Sequence, residues 1–348
     1  MKSFVNFIPT KLYFGAGELE RLATVPLPGR KALIVITSGK SMRASGTLDR
    51  VIELLKRNRV EAAVYAGVEA NPTREQVMAV NPGDYWDYIA GGSGKGQAML
   101  QPPLPIIAVT TTAGTGTEVD PWTVVTGGDE KIGFGCEGTF PRIAIVDPEL
   151  MLTVPPRLTA FQGFDALFHA AECYLANCAT PVSDLYCLKS VELVFRSLPA
   201  AVRDGGDLAA RTDVALANTL SGMAESTSCC ISEHSLAHAI SGCHPAVPHG
   251  AALIMVSDAW FRCFAKRAPG RFAALAGAAG TPDFVAALDR LRRECGVAEL
   301  KMSDFGITRQ ELPAINDNAW RTMGALFELD PVKLTGAESL AILTESWR

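Results

Sequence analysis

Every histidine of this 348-residue chain, His169, His234, His238, His244 and His249, falls between residues 169 and 249, a window of less than a quarter of the length. Chance would scatter them. Asp165 stands four residues before His169 in GFDALFHAAE, and His234 stands four before His238 in EHSLAHAIS, so each pair projects from one face of a helix. His249 follows in PAVPHG, where Pro248 and Gly250 predict a stiff loop facing those helices. Imidazole and carboxylate at such spacings form a ligand set for a divalent first-row metal. Three imidazoles and one carboxylate, Asp165, His169, His234 and His249, leave an open coordination position, which a catalytic metal requires.

His238 shares a helical face with His234, and a side chain that titrates near neutral pH suits a proton relay beside the metal. The same position also fits a further ligand or a core histidine. His244 reads equally as a pocket residue or a surface-loop residue. Glu172, one turn beyond His169, fits either a carboxylate that orients a ligand or a solvated helix face. Cys243 lies within the histidine cluster and offers a soft donor, but its neighbours already supply enough hard ones.

The nine cysteines are an odd number, scattered mostly through apolar stretches without a CxxC pair, which predicts reduced, packed thiols. With 48% hydrophobic and 20% charged residues, the chain can bury substantial cores. A net charge of -5, with both signs interspersed, provides no basic tract for nucleic acid and no polybasic face for a membrane. The start, MKSFVNFIPTKLYFG, lacks the long apolar core of a signal peptide, and no later apolar run reaches membrane-spanning length. A cytoplasmic protein acting on small molecules is the expectation.

Two halves must position these residues. Residues 1–150 alternate β-like runs with helical ones: KLYFG, KALIVIT, a helix over about 40–57, EAAVYAG, PIIAVTT, WTVVTG and RIAIVD. Residues 151–348 lose the β runs, and amphipathic helices follow over roughly 157–177, 182–199, 207–228, 231–241, 251–266 and 281–295. The change falls at DPELMLTVPP, with Pro148, Pro155 and Pro156 as breakers, and predicts a ligand cleft between the halves. The segment VTTTAGTGTEVD, residues 109–120, leaves a β-like run and concentrates small residues and hydroxyls, which suits close approach of a cofactor to the backbone. The run AGGSGKG at 90–96 lacks the Walker spacing and reads as an exposed turn.

Taken together, FIPTKLYFGAGELERL, the NPT at 71–73, TTAGTGTEV, AIVDPEL, GFDALFHAAECY and the HSLAH and PHG elements resemble the iron-containing (group III) alcohol dehydrogenases over nearly the whole chain. The resemblance implies a dehydroquinate synthase-like fold: an α/β, Rossmann-like dinucleotide-binding domain followed by an all-α metal-binding domain. It implies that Asp165, His169, His234 and His249 bind Fe2+, or Zn2+ as the alternative. It further implies cofactor contacts from Gly39, Lys40, Ser41, Thr111, Thr112, Thr115, Lys131 and Leu150, with His238 near the nicotinamide and substrate. Relatives often dimerise through N-terminal strands, and FVNFIPTKLYF offers such an edge for a homodimer or larger homo-oligomer.

Two departures stand out. The resembled family places a strand and a helix, joined by a GGGS turn that carries the cofactor pyrophosphate, between the NPT turn and the TTAGTG strand. Here EANPTREQVMAV runs directly into NPGDYWDYIAGG, so one βα unit of roughly two dozen or more residues is missing across 76–84. The phosphate-binding helix N-terminus goes with it. The second departure is ITSGKSM, which puts Gly39, Lys40 and Ser41 where NAD-preferring relatives place an aspartate. A carboxylate there repels a 2′-phosphate, so this run favours NADP(H) over NAD(H). The expected activity is hydride transfer between a small primary alcohol, or its aldehyde, and the nicotinamide. Two alternatives are a maleylacetate-type reductase on the same fold and a metal-binding protein without redox activity.

Overall fold

The computed structural model describes residues 3–37, 40–68 and 83–348. Gly39, the NPT at 71–73 and most of the 76–84 junction lie outside these residues.

The α/β half opens with β1 (Lys11–Phe14), β2 (Lys31–Thr37), the short α1 (Lys40–Ala44), α2 (Thr47–Arg57) and β3 (Glu61–Val68). It continues with β4 (Ile107–Thr110), β5 (Thr123–Gly127), β6 (Glu130–Phe134) and β7 (Ile143–Val146). The continuous helix expected over 40–57 is broken, because Gly46 takes a left-handed φ of 74° and resets the chain before α2. Parallel pairing gives a sheet of order β1-β7-β4 and a separate pair β2-β3, while β5 and β6 form an antiparallel hairpin. β6 is an element that the sequence pattern did not suggest. Its contacts with helices of the second half attach the hairpin to the metal-binding side.

Eleven helices are found among the described residues, nine of them in the second half: α3 (Pro156–Leu175), α4 (Pro181–Arg203), α5 (Leu208–Glu225), α6 (Ser232–Cys243), α7 (His249–Arg267), α8 (Pro269–Ala278), α9 (Phe284–Glu294), α10 (Leu312–Met323) and α11 (Gly336–Ser346). Starts follow local chemistry. Pro156 occupies the first turn of α3, and the Asp283 side chain caps α9 by accepting from the Val285 and Ala286 amides. α3 from Thr159 onward is buried almost all round, and α6 is buried through Gly242, as expected of helices at the centre of a bundle. No helix among the described residues is long and apolar enough to cross a membrane.

β2 reads KALIVIT, a continuous apolar run that predicts a strand covered on both faces. Only one face is covered. Ala32 and Ile34 join an apolar cluster with Leu19, Leu22, Val51, Leu54 and Ile145 beneath both sheets, whereas Leu33 and Val35 are 63% and 56% exposed. A further strand and helix are what a parallel sheet of this type would place beside and over such a strand, and among the described residues the two sheets share no strand pairing. Exchanging Leu33 and Val35 together for Thr should therefore change unfolding free energy by no more than about 0.5 kcal/mol, while lowering binding of a hydrophobic dye. A drop of several kcal/mol in a denaturant titration would show that this face is covered.

Candidate metal and cofactor site

α3, α6 and α7 supply the donors, and α7 packs against both of the others. Asp165 Oδ1 lies 3.5 Å from His249 Nε2 and 3.8 Å from His234 Nε2, and these three side chains converge closely enough to share an ion. Asp165 Oδ1, His234 Nε2 and His249 Nδ1 are buried without a hydrogen-bond partner. Orphaned polar atoms are costly in a dry interior, and such an arrangement calls for a cation. The spacing fits one: donors about 2.1 Å from a tetrahedral ion sit about 3.4 Å apart.

His249 is not in a loop, as the PAVPHG run suggested. It is the first residue of α7, with Pro248 as N-cap. Its position depends on Gly250, because a Cβ there would fall 2.3 Å from the Phe161 carbonyl oxygen, so α7 presses directly onto α3 one turn before Asp165. His169 is oriented differently from the other predicted ligands. Its ring stacks on His234 with centroids 4.5 Å apart, and its Nδ1 lies 3.1 Å from the Gly114 carbonyl oxygen. A carbonyl only accepts, so Nδ1 carries the proton and Nε2 keeps its lone pair, 3.7 Å from Glu225 Oε2.

Glu172 is fully buried, and of its two possible roles the structure shows the orienting one. It accepts from the Ile231 amide at 2.8 Å, the His234 amide at 3.3 Å and His234 Nδ1, which presents His234 Nε2 to the centre. Burial disfavours charge on His234, but Glu172 and Asp165 outweigh it and push its pKa well up. His238 and His249 go the other way: burial, and then the Lys131 ammonium, push both well below the ordinary histidine range. Lys131, on β6, is itself lowered to about 8 by burial, against the pull of Asp165. His238 Nδ1 meets the Met323 thioether at 2.8 Å. A thioether only accepts, so this contact leaves Nε2 as a neutral acceptor.

The other sequence-derived positions separate. His244 caps the end of α6 and pairs with Glu311 at 3.1 Å, away from the centre. Cys243 is half-buried near Asp129, Arg321 and Glu311, so it is not the thiol of this site. Leu150 is buried in the apolar cluster under the sheets. Lys40 and Ser41 are exposed at the start of α1, and Thr112 and Thr115 are exposed beyond β4, with Thr111 half-buried. The glycines of 109–120 serve packing against helices: a Cβ on Gly114 would meet Gln162 Cα at 3.0 Å, and one on Gly116 would meet Gly222 Cα at 2.5 Å. Gly116 also donates its amide to Asn218 Oδ1 at 2.9 Å. Of AGGSGKG, Ser93 donates its amide to the buried Glu130, so that turn is anchored on the hairpin.

Three groups were missed. Glu233 is fully buried with neither oxygen bonded, and burial, then the neighbouring Glu172 carboxylate, push its pKa well up. Glu225 and Cys230 flank His169 and His234. The available signal was the presence of charged residues in otherwise small or apolar helical runs, MAESTSCCISEH.

The model of the "Fe-containing alcohol dehydrogenase family, C-terminal" matches residues 159–347, and that of "Iron-containing alcohol dehydrogenase" matches 9–81 and 77–148. This chain belongs to the iron-containing alcohol dehydrogenase family. The second match comes in two pieces that meet at 77–81, within the stretch where the βα unit is missing. Alcohol dehydrogenase 4 of Saccharomyces cerevisiae is 29% identical over 100% of both chains. 1,3-Propanediol dehydrogenase of Klebsiella pneumoniae is 30% identical over 99% of both. Among solved structures, the archaeal halo-thermophilic Red Sea brine pool alcohol dehydrogenase ADH/D1 superposes with a TM-score of 0.93 at 27% identity, covering 99% of this chain and 100% of that one. As a member of this family the chain is a metal-dependent alcohol–aldehyde oxidoreductase that uses a nicotinamide cofactor, and the maleylacetate-type and non-redox alternatives are not favoured.

Exchanging Glu172 for Gln removes one of the acceptors that three donors share. Metal affinity should fall about 10- to 100-fold in a chelator-competition titration. Unchanged affinity would mean that His234 is oriented without it.

Proposed function

We propose that the chain reversibly oxidises a small primary alcohol to its aldehyde, preferring NADP(H), with Fe2+ held by Asp165, His234 and His249 and completed by His169. Zn2+ is the alternative ion for the same nitrogen and oxygen donors. The observation that carries this reading is the convergence of the Asp165, His234 and His249 side chains, with Asp165 Oδ1 and His234 Nε2 facing each other buried and unpartnered. When bound, the divalent ion supplies Lewis acidity to the substrate oxygen and the nicotinamide supplies the hydride exchange.

The chain's own residues do the rest. His238, kept neutral with a lone pair on Nε2, takes the hydroxyl proton in the oxidative direction and returns it in the reductive one. Lys131 holds a buried positive charge in the same space and contacts the cofactor there. The exposed hydroxyls of Thr112 and Thr115, with Thr111, contact the cofactor at the carboxyl end of β4. Lys40 and Ser41 supply a cation and a hydroxyl for a 2′-phosphate, with no carboxylate beside them to repel it. β1 is a sheet edge, and Phe4, Val5 and Phe7 are exposed just ahead of it, which supports a homodimer or larger homo-oligomer built on this strand. The cytoplasm is the compartment this reading assigns.

Iron-loaded protein, assayed anaerobically for aldehyde reduction, should turn over faster with NADPH than with NADH, at millimolar cofactor because the phosphate-binding unit is missing. His249→Ala should lose iron and turnover together. Turnover retained in a His249→Ala protein shown to lack iron would refute the ligand assignment, and unchanged NADPH fluorescence at millimolar cofactor would refute the redox reading of this chain.

A further inference from the structure

The donors around His234 form two overlapping sets. One is Asp165, His234 and His249; the other is His169, Cys230 and His234, equally close together and entirely buried. Glu225 flanks the second set, with Oε2 3.7 Å from His169 Nε2 and Oε1 3.2 Å from Cys230 Sγ. Nearby, Asp120 is buried beside Glu225 with Oδ2 unpartnered, and burial and the Glu225 carboxylate push its pKa well up, towards the uncharged acid. His234 Nε2 is also without a partner and is common to both sets, so one ion can occupy one set or the other but not both.

We propose that this centre has a second, thiol-containing ion position, formed by His169, Cys230 and His234 with Glu225 as the acceptor of the thiol proton, which a thiophilic divalent cation of the zinc type takes in preference to the Asp165, His234 and His249 position. The inference rests on the metal-centre reading above. Hard and soft character separates the two sets: carboxylate and imidazole suit Fe2+, whereas a thiolate adds affinity for softer ions. As the sulfur–metal bond forms, the Cys230 S–H bond breaks and its proton passes to the Glu225 carboxylate that it already faces. An ion held there leaves Asp165 and His249 unligated, so the soft-metal form is displaced from the position assigned to chemistry.

Cobalt(II) reports on this directly, because it stands in for zinc and a cobalt–thiolate bond gives an intense near-ultraviolet charge-transfer band. The metal-free full-length chain loaded with one equivalent of Co2+ should show that band. Cys230→Ser and Cys230→Ala should bind Co2+ without it, Cys173→Ser should keep it, and His249→Ala should keep both cobalt and band while losing iron. Circular dichroism of each variant checks folding. Stoichiometric cobalt uptake by the unsubstituted chain with no band would overturn the thiol position while leaving the metal centre standing. No cobalt uptake would overturn both, and a band that survives in folded Cys230→Ser and Cys230→Ala would assign it to another thiol.

Discussion

The second half of the molecule is organised around a small volume in which buried lone pairs have nothing to bond. Leaving a polar atom unpaired in a dry interior costs about 1–3 kcal/mol, and two such atoms, Asp165 Oδ1 and His234 Nε2, face each other here beside His249 Nε2. A cation placed among these donors would give the lone pairs the partner they lack. The neighbouring contacts all hold the donors apart at ligand spacing. Glu172 ties His234 to the amides at the start of α6, the Gly114 carbonyl fixes the His169 ring, and the absence of a Cβ on Gly250 lets α7 seat His249 against α3.

The charge balance follows from the same constraint. Carboxylates dominate, with Asp165, Glu172 and Glu225 around the imidazoles and Glu118 and Asp120 behind them. Burial drives His238 and His249 towards the neutral form. His234, wedged between Glu172 and Asp165, is driven towards its charged form. Without an ion, a proton on His234 and the Lys131 ammonium supply the positive charge the carboxylates require.

Much of this was legible in the sequence because helical spacing makes it local. Asp165 with His169, and His234 with His238, are one turn apart, so their shared faces follow from the chain alone. The relation of His249 to Asp165 is not local. It depends on a close approach of α7 to α3 that a single glycine permits, and the flanking Pro248 and Gly250 read naturally as a loop. The same limitation hid the use of Gly114 and Gly116, whose small size serves contacts with α3 and α5 that are distant in sequence. Cys243 drew attention by its position among the histidines, while Cys230, four residues before His234, is the thiol that the fold brings to the centre. β6 was missed because EKIGF carries two charges in five residues, and Glu130 and Lys131 are buried only through partners on other elements.

The two functional halves depend on different supports. The proposed metal donors come from α3, α6 and α7, which pack mainly within the helical half, with α6 also against β6. The nicotinamide side leans on a parallel sheet that is divided where a strand and helix are missing. The bridging loop at 111–120 does not share that weakness, because its anchors are on the helical side: Gly116 to Asn218, Glu118 to Asn218 and Thr219, and the Gly114 carbonyl to His169. A defect in the sheet therefore acts on cofactor affinity, by removing phosphate-binding amides, more than on the placement of the threonines relative to the metal. Since the helical half holds both the donors and this loop, the geometry required for chemistry can persist in a chain whose grip on the cofactor is weakened.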